Sequence, residues 1–153
     1  MVNAAAQATS LRPPADLDGW DPSWSRFIDA ADNTGQTRRW HLLDTGPDDA
    51  RLTLLAVHGN PTWAYTWRHL AAALPGDVRI IAPDQLDMGF SERTGVRRRL
   101  ADRIDDRPSL TDEIGLTGPV VAGAHDWGGP VSLRWALRRR DHLAGVVLLY
   151  TAV

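Results

Sequence analysis

Val120-Val121-Ala122-Gly123-Ala124-His125-Asp126-Trp127-Gly128-Gly129-Pro130 is the stretch that decides how this chain folds. A short apolar run ends in small residues, presents one acidic side chain and restarts as a helix. The layout predicts a nucleophile elbow. Such a bend is so sharp that only small residues fit beside it, and its central side chain is thrust out over the edge of a sheet. Here that side chain is Asp126, not serine or cysteine. A carboxylate is ionised at neutral pH and attacks carbon bearing a leaving group with no base to activate it. The plainer reading makes Asp126 a cap for the helix starting at Gly128. A cap would not need small residues on both sides.

Working outward, 120–123 reads as a strand, 129–140 as a helix and 144–153 as a final strand. Upstream, 37–44 alternates in part and predicts a strand. Residues 52–57 and 78–82 are almost continuously apolar, as in parallel strands buried on both faces. Trp63, Trp67, Leu70 and Leu74 fall at helical spacing over 62–74. Residues 96–116 also look helical, and Pro108 predicts a break there. Residues 20–30 read as an entry segment packing on the domain, and 1–19 as a disordered tail. Strands alternating with helices imply an α/β domain over 20–153, a mostly parallel sheet with helices on both faces.

Three loops, 58–61, 83–91 and 124–128, each follow an apolar strand. In a parallel sheet they share one edge, where ligands bind. The turn His58-Gly59-Asn60-Pro61 can offer a backbone N–H which, with the N–H after Asp126, forms an oxyanion hole. Asn60 adds an amide donor and Trp127 an indole N–H. Two neutral donors suit a departing weakly basic anion. His58 and Gly59 are supporting candidates. His125 qualifies by proximity alone and is expected to point inward and make a structural hydrogen bond. His41, His69 and His142 are expected to be inert.

Composition narrows the classes. The 153 residues carry a formal net charge of −2 and no cysteine. That excludes a disulfide framework and a thiolate metal site. The arginine runs at 97–99 and 138–140 have acids nearby and read as solvated helix faces, so no nucleic-acid partner is expected. No apolar run spans a bilayer and no signal peptide is evident, so the expected location is the cytoplasm. The chemistry needs no metal and no cofactor.

The motifs His58-Gly59-Asn60-Pro61-Thr62-Trp63, Ala82-Pro83-Asp84 with Met88-Gly89-Phe90-Ser91, and His125-Asp126-Trp127-Gly128-Gly129 resemble the α/β-hydrolase superfamily. Within it they are similar to the haloalkane dehalogenase-like branch. The resemblance implies Asp126 as nucleophile, Asn60 and Trp127 as the pair stabilising the leaving group, and a small apolar substrate: a haloalkane, an epoxide or a β-lactone. Epoxide hydrolases of the branch usually carry an aromatic residue where Asn60 stands. The loop 84–93 and the Arg-rich helix after it are also similar to the β-lactone decarboxylase of olefin biosynthesis. Members are about twice as long and add a cap and a late histidine, oriented by an acid, that hydrolyses the ester. Tyr150 stands where some dehalogenases place that acid. The chain is therefore expected to be the N-terminal part of the fold, catalytically incomplete unless a complementing C-terminal segment joins it. The last strand would then be an unprotected edge.

Overall fold

A computed structural model describes residues 11–116 and 118–152. Six strands form one sheet: β1 (Ser25–Ala31), β2 (Thr37–Asp44), β3 (Leu52–Val57), β4 (Val78–Pro83), β5 (Val120–His125) and β6 (Leu143–Leu149). Their order across the sheet is β1-β2-β4-β3-β5-β6. Strands β3 to β6 run parallel. β2 is antiparallel to both its neighbours.

Alternation along the strands sends side chains to two cores. Leu42, Leu55 and Ile81 join Leu110, Ile114 and Trp135 from helices α2 (Leu100–Ile114) and α3 (Gly128–Arg138). Leu43, Ala56 and Ile80 face the opposite way, onto Trp20, Trp67 and Ala71. That second face is covered by a 3-10 turn (Ala64–Trp67) and the short helix α1 (Arg68–Ala73). The sheet is thus mostly parallel with helices on both faces, as the sequence implied.

Four local readings need correction. Residues 25–31 are a strand and not only an entry segment; half-wet at the sheet edge, β1 lacks the clean alternation that marks one. Pro108 does not break its helix, because α2 runs through it. A proline without an N–H deprives only the carbonyl four residues back, and burial of Leu110, Thr111 and Ile114 holds the last turn in place. Residues 97–99 precede α2 and are no solvated helix face. Arg98 is 3% exposed and paired with Asp106, eight positions on, and, at 3.7 Å, with Asp32, which is remote in sequence. Lastly, 62–74 divides into the 3-10 turn and α1. Residues 1–10 of the expected tail lie outside the described residues; at its inner end Leu17 packs on the second core.

Asp32 closes the β1–β2 hairpin. Its Oδ1 accepts the N–H groups of Thr34 (2.8 Å) and Gln36 (3.1 Å), and its Oδ2 accepts Arg38 Nε at 2.9 Å. Burial raises the proton affinity of this carboxyl, but those bonds outweigh it and hold Asp32 well below the usual carboxylate range. At the opposite edge β6 pairs with β5 alone among the described residues. It leaves Val146, Val147 and Leu149 42–47% exposed. No helix among the described residues is long and apolar enough to cross a membrane.

Candidate active site

Asp126 sits between β5 and α3 with φ +54°, a left-handed conformation that a residue with a side chain adopts at a cost of about 1–3 kcal/mol. The bend is fixed from both sides. Asp126 N–H donates to Leu149 O at 3.3 Å, and Asp126 O accepts Gly129 N–H at 3.0 Å and the Thr151 hydroxyl. Gly128 is required by close approach, since a Cβ there would collide with the Val57 carbonyl oxygen of β3. Gly59 is required in the same way, because a Cβ would overlap the Asp126 carboxyl.

The carboxyl is held by the neighbouring turn. Asn60 N–H donates to Asp126 Oδ1 at 2.9 Å. The N–H of Trp127 first, then that of Asn60, hold Asp126 below the usual carboxylate range; slight desolvation opposes them and nearby His125 assists. The group is therefore an anion at neutral pH with its carboxylate already held by two backbone donors. Asn60, Trp127, Gln85, Met88, Leu100 and Arg103 line a cavity of about 370 Å³ at this edge. Trp127 is 54% exposed there. The structure thus brings Asn60 and Trp127 to one cavity at the elbow.

His58 is fully buried and has a structural task. Its Nδ1 donates to Gly59 O at 2.7 Å, and its Nε2 accepts Gln85 N–H at 3.0 Å. Gln85 Nε2 also donates to His58 O at 2.7 Å. These partners fix one neutral tautomer and tie the loop after β4 to the turn after β3. Burial above all, with Arg107 and Arg103 nearby, lowers His58 below its ordinary value of 6.5, although Asp84 and the Gly59 carbonyl pull the other way. A depressed histidine contributes stability that is complete above the unfolded value and is lost as pH falls through the folded one. The urea midpoint is expected to fall as pH is lowered below about 6.5, before carboxylates titrate. A midpoint flat from pH 8 to 5 would contradict this role.

Two residues depart from expectation. His125 makes no structural hydrogen bond through Nδ1, which is buried without a partner among the described residues. His41 is not inert: Nδ1 donates to Asp84 Oδ2 at 2.8 Å and Nε2 lies 2.9 Å from Ser25 Oγ. Asp84, also fully buried, accepts Ala64 N–H and Phe90 N–H at 2.7 Å each. Sequence reasoning placed Asp84 in a motif without a task, and it missed Gln85 as the brace between two loops. A polar residue straight after an apolar strand was the available signal.

A mostly parallel sheet, a strand–turn–helix elbow and donors converging on its side chain define an α/β hydrolase. The model of the alpha/beta hydrolase fold family matches residues 53–152, and the chain belongs to that family. It is 36% identical over 118 residues to a cis-3-alkyl-4-alkyloxetan-2-one decarboxylase of Xanthomonas campestris pv. campestris, covering 72% of this chain and 39% of the relative. It is likewise 36% identical over 130 residues to haloalkane dehalogenase 2 of Mycobacterium bovis, covering 83% and 42%. Among solved structures it is similar to a haloalkane dehalogenase from Agrobacterium tumefaciens C58, with TM-score 0.71, 25% identity and coverage of 83% and 41%. A thermophilic esterase from Thermogutta terrifontis gives 0.72, 30%, 83% and 46%. The chain spans about two-fifths of the length of the curated relatives it matches.

Proposed function

We propose that Asp126 is the nucleophile of a haloalkane dehalogenase-like reaction. The carrying observation is the strained, ionised carboxyl with Oδ1 on the Asn60 N–H beside an open cavity. Oδ2 attacks the saturated carbon bearing the halogen. The new C–O bond forms as the carbon–halogen bond breaks, and the halide leaves with the electron pair. Asn60 and Trp127 receive that halide through amide and indole N–H groups. The product is an alkyl ester of Asp126. Water attack on the ester carbonyl would put negative charge on an oxygen that the Asn60 and Trp127 N–H groups can hold.

A β-lactone is the second substrate reading, favoured by the similarity to an oxetan-2-one decarboxylase. Opening of an epoxide by the same carboxylate is a third. Ester hydrolysis needs a base. His58 is locked as a neutral brace and His41 is tied to Asp84, so neither serves. A complementing C-terminal segment laid beside β6 would supply a histidine and its orienting acid. We place the reaction in the cytoplasm and assign it no metal or cofactor.

Intact-mass spectrometry after incubation with 1-iodohexane tests the reading. The expected result is a single hexyl adduct on Asp126 that persists. Absence of any adduct would overturn the nucleophile assignment. Steady turnover would overturn the requirement for a complementing segment.

A further inference from the structure

The cavity beside Asp126 is built of cationic groups on one wall. Arg97, Arg98 and Arg103 line it together with Asn60, and no acidic residue does. Arg103 spends Nη1 on the Leu86 carbonyl at 2.9 Å and forms no ion pair among the described residues. Arg97 forms none either. Arg98 is anchored by Asp106, Asp32 and Asn33 and supports the wall from behind. Two guanidinium groups, Arg97 and Arg103, outside any ion pair among the described residues are not what a neutral haloalkane needs. The wall also lies beside a nucleophile that is itself an anion and would repel an anionic substrate.

We infer that this wall is a carboxylate subsite, with Arg103 and Arg97 as its donors, so that the substrate presented to Asp126 carries or releases a carboxylate. The inference rests on the Asp126 reading and names the substrate class for that site. Guanidinium groups offer forked N–H donors matched to two carboxylate oxygens. They also offset the repulsion between substrate and nucleophile. The carboxylate has two possible sources. In a haloalkanoate it is carried: the C–O bond to Asp126 forms, the carbon–halogen bond breaks, and the carboxylate is a spectator. In a β-lactone it is released: Asp126 bonds to the alkyl carbon, the ring C–O bond breaks, and its electron pair leaves the ring oxygen as a carboxylate. Charge is conserved in both steps and no proton moves.

Two measurements separate this inference from the nucleophile reading. The first is binding of hexanoate by isothermal titration, which asks nothing of Asp126. Hexanoate is expected to bind at least tenfold more tightly than hexanol, and Arg103→Met should remove that preference while Arg103→Lys keeps part of it. Equal binding of the two ligands, or a preference unchanged in Arg103→Met, would overturn the subsite. The second is the rate of adduct formation with 6-iodohexanoate, 1-iodohexane and a 4-alkyl β-lactone. The iodohexanoate is expected to label faster than iodohexane, with the ratio collapsing toward one in Arg103→Met. Equal slowing of all three probes would reduce Arg103 to a structural role and overturn the inference. A lactone slowed along with the iodohexanoate assigns the subsite to a released carboxylate as well as a carried one. No adduct with any probe, alongside intact hexanoate binding, would sink the Asp126 reading and leave the subsite standing.

Discussion

Asp126→Gly is expected to abolish covalent labelling while making the protein more stable. The two effects share one cause. The elbow holds residue 126 at φ +54°, where a side chain is strained and glycine is not. Relief of that strain contributes about 1 kcal/mol, and water can take the Asn60 N–H that the carboxyl releases. Labelling at residue 126 is lost because the attacking carboxylate is gone. Urea unfolding monitored by tryptophan fluorescence gives the stability change, and intact-mass spectrometry gives the labelling. A glycine variant that is less stable than the parent would show that the carboxyl is a structural cap. Asp126 would then be a helix-end residue of no chemical consequence.

Asp84→Ala should have the largest effect on stability. The substitution strands three donors at once: the buried Ala64 N–H and His41 ring and the half-buried Phe90 N–H. Leaving such groups without a partner costs about 1–3 kcal/mol each. Domains of this size hold only about 5–15 kcal/mol in total. The variant is therefore expected to lose about 3 kcal/mol or more of that reserve, with the 84–91 loop released from β2. A loss below about 1 kcal/mol in urea unfolding would refute this account of the motif.

The sequence made the parallel centre of the fold legible because β3, β4 and β5 are apolar on both faces and short. It obscured β1, whose wet edge position leaves no period, and it misjudged Pro108, because packing on α2 outweighs a local preference. At the site, small residues around Asp126 revealed the bend, since steric exclusion is written in residue size. The tasks of His41 and Gln85 were hidden. Both depend on partners brought in from other strands, and a linear pattern carries no trace of such distance. Arg98 was misread in part for the same reason: one of its two acids, Asp32, lies on the distant β1–β2 hairpin.

The oxygen of Asp126 and the amide of Asn60 that seats it are separated by 66 positions along the chain. Neither means anything to the other until β3 and β5 have zipped side by side. Chemical competence is thus a late arrival in folding, since distant pairings must first overcome loop closure. Mild loosening of that seam would silence the molecule while its helices still report a folded state.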